Sequence, residues 1–268
     1  MPEEIINESA EIQPKTKKQQ KAEKKALKKQ RKLEKRMEKC NKKKLHLLFP
    51  ANKKGKHVMK RLNFMRIIFY PIHSFFYPFK MYGPHKIGKG ACIYVGNHYC
   101  IWDVFYPAHT TWEGIHFLAK DSLMYKPVIG RWARKLGVIA ANRDGSDVRT
   151  LMNAMKVLKN GEKISLFPEG TRNKVSDREF LPFRGGAALL AIKTKTPIVP
   201  FVICNRPRVF RRTHVVFGDP ITLDEYYDRK LTQEDYDKAD EKLKNRLYEL
   251  REQHEQYLSA KKSKKKKK

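Results

Sequence analysis

Ala91-Cys92-Ile93-Tyr94-Val95-Gly96-Asn97-His98-Tyr99-Cys100-Ile101-Trp102-Asp103 runs from an apolar segment through a turn to an imidazole and a carboxylate. Five apolar residues closed by Gly96-Asn97 predict a buried strand that stops at a turn. Ile101-Trp102-Asp103-Val104-Phe105 then suits the start of a helix. Histidine is the usual side chain for taking a proton near neutral pH. A carboxylate bonded to one ring nitrogen fixes the tautomer and leaves the other nitrogen free as a base. His98 and Asp103 are five residues apart, so on one ideal helix they would diverge by about 140°. The pair works only with His98 in the turn and Asp103 reaching back from the first helical turn.

Outward from this stretch the chain alternates. Candidate strands are Cys92–Val95, Ile115–Ala119, Gly137–Ala141, Lys163–Phe167, Ile198–Cys204 and His214–Phe217. Candidate helices are Trp102–His109, Val128–Leu136, Asp147–Lys159, Gly186–Lys193 and Glu234–Leu258. Short apolar strands separated by helical segments predict an α/β fold, a mixed sheet flanked by helices.

A second stretch decides the chemistry. Lys163-Ile164-Ser165-Leu166-Phe167 reads as a buried strand, and Pro168-Glu169-Gly170-Thr171-Arg172 follows it. N-H-x-x-x-x-D followed by F-P-E-G-T-R resembles the glycerolipid acyltransferase family. Two weaker blocks stand in the expected order, Gly137–Arg143 between the strong motifs and Thr196–Phe201 after them. The resemblance covers roughly Asn63 to Gly218 and implies transfer of a fatty acyl chain from a thioester to the sn-2 hydroxyl of lysophosphatidic acid, forming phosphatidic acid. The donor it implies is acyl-CoA or acyl carrier protein, with no metal or organic cofactor. By the same resemblance His98 is the general base, Asp103 its orienting partner, and attack is direct, without an acyl-enzyme. A thiol of pKa near 8.5 leaves a thioester without a strong general acid, which suits a base acting alone. No G-x-S-x-G elbow is present, which weighs against a serine hydrolase.

The second motif is expected to hold the acceptor's glycerol phosphate. Pro168 and Gly170 shape a tight turn, Thr171 offers a hydroxyl, and Arg172 offers the planar fork that grips phosphate in two bonds. Glu169 accepts only, so it braces an arginine or binds a glycerol hydroxyl. Arg143 and Lys120 are further candidate cations, and Arg184, where Pro182–Gly186 enters a helix, is another. Gly88-Lys89-Gly90 reads as a turn.

The formal charge of +31 is unevenly spread: roughly +14 lies in residues 1–62 and +7 in residues 261–268. Residues 1–62 are expected to be a basic disordered arm and 259–268 a lysine-rich tail, since neither buries enough apolar surface to hold a fold. Such segments would be drawn to an anionic membrane surface. Nucleic acid would attract them too, but the arm lacks interleaved aromatics and that partner is disfavoured. Residues 63–82 are rich in aromatics. The 13 residues between Arg66 and Lys80 span about 20 Å as helix against ~30 Å of hydrocarbon, and Pro71 and Pro78 would break a straight helix. An interfacial membrane-contact segment is expected, with the acyltransferase domain at 83–258. Cys40, Cys92, Cys100 and Cys204 lack metal-ligand spacing and read as reduced thiols. With an acidic first octet and no apolar signal segment, the expectation is a monotopic protein on the cytoplasmic face of a cell membrane. Two alternatives stay open: a related acyltransferase with another lysophospholipid acceptor, and a basic nucleic-acid-associated protein.

Overall fold

A computed structural model describes residues 17–42, 56–141 and 148–266. The chain divides into two compact units, Met1–Leu47 and Leu48–Lys268.

In the first unit, α1 spans Lys17–Lys42. The sequence led to a disordered arm because so little here can be buried. Lys, Arg, Glu, Gln, Ala and Leu are nonetheless strong helix formers, and Gln30 Nε2 donates to Glu34 Oε1 across one turn at 3.1 Å.

The second unit begins with α2, Lys56–Phe76, which carries Pro71 inside it. Pro71 removes one ladder bond, but the helix continues because its inner face is pinned. Arg66 is buried and donates to Asn63 Oδ1 at 2.7 Å and to the Glu113 carbonyl at 3.3 Å. His73 is buried with its ring 5.0 Å from that of Phe105. No described helix is long and apolar enough to cross a membrane.

The expected interfacial segment does not extend through residue 82. Phe79–Tyr82 forms β1 and pairs in parallel with β7, Thr213–Phe217. The remaining strands are β2 (Ile93–Gly96), β3 (Ile115–Lys120), β4 (Ile139–Ala141), β5 (Lys163–Leu166) and β6 (Ile198–Ile203). They form one mixed sheet ordered β1-β7-β6-β2-β5-β3-β4, in which β6 and β7 are antiparallel and every other neighbour is parallel. Between them run α3 (Phe105–Ala108), α4 (Ile129–Lys135), α5 (Val148–Lys159) and α6 (Gly186–Thr194), and α7 (Gln233–Lys266) follows. The expected helix Trp102–His109 is instead a 3₁₀ turn, Ile101–Val104, leading into the single turn of α3. The expected lysine tail from 259 is the last part of α7, because lysine costs a helix little.

Strand alternation divides the core between the two faces of the sheet. Ile93 and Val95 of β2 pack with Ile164 and Leu166 of β5 against α5, α6 and Leu243 of α7. Tyr94 packs on the other face with Tyr106 of α3, Phe201 and Phe217. Each fully buried side chain of this size contributes roughly 1.5–3 kcal/mol.

The connection leaving β2 runs through α3 on one face toward the β4 edge. The connection leaving β5 runs through α6 on the other face toward the β1 edge. Adjacent strands with diverging connections open a crevice beyond their carboxyl ends, where ligands of open α/β sheets bind. At the opposite end of β5, fully buried Lys163 donates from Nζ to Glu113 Oε2 at 2.6 Å and to the carbonyls of Gly88 and Gly90 at 2.9 and 2.5 Å. That bond set holds the predicted Gly88–Gly90 turn.

Buried Asp240 of α7 lies beside the start of α6. Burial raises its carboxyl from 3.8 to about 6, against hydrogen bonds from the Gly185 and Ala188 main chain. The folded chain keeps a proton that the unfolded chain sheds near pH 4, so this contribution is complete below pH 4 and lost as pH rises through about 6. Urea unfolding at pH 4, 5.5 and 7 should show Asp240→Asn removing a decline on the order of 3 kcal/mol from the wild-type profile.

Candidate active site

The crevice beyond β2 and β5 receives the turn that ends each strand. After β2, Asn97 is buried and ties the turn to β6: its Nδ2 donates to the Ile203 carbonyl at 3.1 Å, and its Oδ1 accepts from the Ile203 N–H at 2.8 Å. Gly96, just before it, lies under Phe201, whose ring would come within 2.4 Å of any Cβ. The turn is therefore seated directly on the core.

His98 follows. Its Nδ1 lies 2.8 Å from Asp103 Oδ2. A carboxylate oxygen accepts only, so Nδ1 carries a proton, and in the neutral ring the lone pair is then on Nε2. Asp103 is fully buried, and it is heavily bonded. Oδ2 also accepts from the Tyr99 and Cys100 N–H groups at 2.5 and 2.7 Å, and Oδ1 accepts from the Cys100 thiol at 3.2 Å. Burial, then the nearby Asp103 carboxylate, pushes the Cys100 thiol up to about 12, so it stays protonated and able to donate. The His98 ring stacks on Phe167, centroids 4.1 Å apart and planes 12° from parallel. Its side chain keeps 18% exposure.

After β5, Glu169 points inward rather than toward a ligand. It is 1% exposed. Oε1 accepts from the His98 N–H and Oε2 from the Leu181 N–H, each at 2.9 Å. Burial raises its carboxyl above the usual range, opposed by those two main-chain bonds. The Asn173 N–H donates to the His98 carbonyl at 2.7 Å. The main-chain groups of His98 are thus held by the second motif and by the residue that follows it.

The other expected residues lie around this pair. Gly170 and Arg172 are exposed and Thr171 half-buried, all in the turn after β5. Lys120 is exposed at the carboxyl end of β3, two strands from β2 and so roughly 10 Å along the sheet. Arg143 lies outside the described residues, beyond the carboxyl end of β4. Among the described residues no group of three or more His, Cys, Asp or Glu side chains could hold a metal ion.

A clamp on the segment after the second motif has no counterpart in the sequence reading. Arg206 donates from Nε to Asp177 Oδ1 at 2.8 Å and from Nη1 to the Asn173 carbonyl at 2.9 Å, and its guanidinium stands 4.9 Å from the Tyr99 ring centroid. Buried Arg251 of α7 bonds the Arg178 carbonyl and lies 4.2 Å from the Phe180 ring centroid. One signal was available. Arg251 stands four residues after Leu247, on the apolar stripe of α7, where a solvated charge does not belong.

The acyltransferase family profile matches residues 78–204. A 120-residue stretch is 33% identical to the chloroplastic 1-acyl-sn-glycerol-3-phosphate acyltransferase BAT2 of Brassica napus, covering 44% of this chain and 34% of that protein. The 1-acyl-sn-glycerol-3-phosphate acyltransferase of Saccharomyces cerevisiae is 32% identical over 142 residues, covering 52% of this chain and 47% of that protein. This chain thus spans only about a third to a half of the length of these curated relatives. The crystal structure of the 1-acyl-sn-glycerophosphate (LPA) acyltransferase PlsC from Thermotoga maritima superposes with a TM-score of 0.53 at 25% identity, covering 73% of this chain and 80% of that one.

Substitution should separate the two kinds of residue in the second motif. Glu169→Gln turns an amide NH2 toward a main-chain donor and should cost about 1–3 kcal/mol in urea unfolding. Hydrogen exchange at the His98 and Leu181 amides should quicken. Arg172→Ala should leave stability within about 0.5 kcal/mol.

Proposed function

Because residues 78–204 match the acyltransferase family profile, we propose that this chain is a member of that family and transfers a fatty acyl chain from a thioester to the sn-2 hydroxyl of lysophosphatidic acid. The observation that carries the reading is the His98–Asp103 pair at 2.8 Å, joined through Glu169 to the F-P-E-G-T-R turn at 2.9 Å. A proton acceptor and the expected phosphate-binding turn thereby form one rigid assembly.

In this reaction His98 Nε2 takes the proton of the acceptor hydroxyl as its oxygen attacks the thioester carbonyl. Asp103 holds the Nδ1–H tautomer and steadies the imidazolium that forms. The new C–O bond forms, the tetrahedral adduct collapses, the C–S bond breaks, and His98 returns its proton to the departing thiolate. Phe167 keeps the ring in plane through this cycle. Arg172, with Thr171, Lys120 and Arg143, supplies hydrogen bonds and charge for the acceptor's phosphate. Acyl-CoA or acyl carrier protein serves as donor, and no metal or organic cofactor is required. Glu169 acts through His98 rather than on the acceptor, because both of its oxygens are taken by main-chain N–H groups.

The acceptor lives in a membrane, and α2 offers a surface suited to one. Phe64, Ile67, Ile68, Ile72 and Phe75 are all exposed and recur at i, i+3, i+4, i+8 and i+11, one stripe of a helix. Phe210 extends it: its N–H donates to the Phe76 carbonyl at 2.8 Å, its ring lies 5.8 Å from that of Phe75, and it is 65% exposed. Exposed Arg208, Arg211 and Arg212 flank it. Aromatic and aliphatic side chains edged by arginines match the boundary between headgroups and acyl chains on an anionic surface. We therefore place the protein peripherally on a membrane, at its cytoplasmic face.

Transfer of a labelled acyl group to lysophosphatidic acid tests the chemistry, with acyl-CoA and acyl carrier protein donors run in parallel. His98→Ala should lower the rate by about 10²–10⁴-fold, and undiminished activity in that variant would remove His98 as the base. For the membrane contact, Ile67→Glu with Phe75→Glu should weaken co-sedimentation with anionic vesicles by about tenfold or more, leaving transfer to detergent-dispersed acceptor intact. Unchanged sedimentation would move the contact elsewhere.

A further inference from the structure

Arg184 carries a charge that the reaction above leaves unused. It is exposed, and no carboxylate pairs with it among the described residues. Its main-chain N–H donates to the Pro168 carbonyl at 3.0 Å, which ties the approach to α6 to the turn after β5. From there the side chain lies across Gly170. A Cβ at Gly170 would fall 2.7 Å from Arg184 Cδ, 2.9 Å from Nε and 3.6 Å from the guanidinium carbon. Gly170 also has φ +63, so a side chain there is disfavoured both by backbone conformation and by the arginine occupying its place.

Arg172 stands two residues further along the same turn, also exposed. The turn after β5 thus carries one exposed guanidinium at Arg172 and is overlain by that of Arg184 at Gly170, like charges that a shared anion would offset. The acid built into the turn does not bond either one: Glu169 is 1% exposed, with its oxygens on the His98 and Leu181 N–H groups. Among the described residues no carboxylate is bonded to Arg172 or Arg184.

We propose that Arg184 is a further phosphate-binding cation beside Arg172, directed at the terminal phosphate monoester of the acceptor, with Gly170 keeping its approach open. The proposal rests on the reading of the protein as a lysophosphatidic acid acyltransferase. A monoester dianion presents three free oxygens and close to two charges, enough for two arginine forks. A phosphodiester presents two oxygens and one charge. Arg184 would thus favour lysophosphatidic acid over lysolipids whose phosphate bears a further substituent. The donor coenzyme also carries phosphates, so the test must tell the two sources apart.

Steady-state kinetics of wild type and Arg184→Gln, varying lysophosphatidic acid and acyl-CoA in turn, does so. The expected result is a KM for lysophosphatidic acid raised by about tenfold or more, with kcat and the KM for acyl-CoA within twofold of wild type. A rise confined to the acyl-CoA KM would assign Arg184 to the donor and overturn the proposal. So would a fall in kcat alone, or no change. Calorimetric titration with a short-chain lysophosphatidic acid is read alongside. If wild type binds it without turning it over, and Arg184→Gln binds it about tenfold more weakly, the phosphate site stands and the assigned reaction falls. Equal binding by the two proteins overturns the site.

Discussion

The bond from Glu169 to the His98 N–H is the constraint on which the rest of the site depends. It joins the ends of two adjacent parallel strands, β2 and β5, which diverge in sequence by about seventy residues. A carboxylate in that place must be desolvated, and burial accordingly drives its carboxyl upward. Two main-chain donors offset the cost. A ligand would have to displace one of them to reach Glu169. The glutamate of F-P-E-G-T-R is thereby committed to architecture, and Gly170 and Arg172 after it are the residues that stay exposed.

Asp103 follows the same economy from the other side. Its two oxygens accept four donors, two from the main chain, one from the Cys100 thiol and one from His98. A buried carboxylate this fully bonded neither rotates nor seeks another partner. His98 consequently meets one acceptor in one geometry, with Phe167 stacked on its ring. The short 3₁₀ turn Ile101–Val104 makes this possible. A regular helix would have swung Asp103 away from the imidazole, as the spacing of five requires.

Much of this was legible in the sequence because it is local. Six of the seven strands follow from apolar runs closed by turn residues, and the His98–Asp103 pairing follows from the turn between them. β1 was not legible: Phe79-Lys80-Met81-Tyr82 is a half-buried edge strand whose partner, Thr213–Val216, lies far along the chain. Its aromatic content looked like membrane contact, whereas its backbone pairs with β7. The helical arm was missed for a different reason. Burial, which α1 lacks, was weighed above propensity, which it has. The role of Glu169 was hidden because a carboxylate facing main-chain N–H groups leaves no pattern in its neighbours. Arg251 was the reverse case, a charge on an apolar stripe whose position announced burial without naming its partners, Phe180 and the Arg178 carbonyl.

The distribution of charge bears on what each part of the chain can select. Most of the +31 lies in the two basic ends, where long basic side chains recur without a distinguishing pattern. Such charges fall off within a Debye length, about 8 Å at physiological ionic strength, and do not distinguish one phosphate from another. Discrimination needs donors held at fixed positions. In this chain the groups held in that way lie in and after the turn that follows β5, which Glu169 fixes to His98 and Arg206 and Arg251 fix to the body of the domain. The diffuse charge of the basic ends and the fixed groups of this turn are therefore carried by separate residues, and either can change without the other.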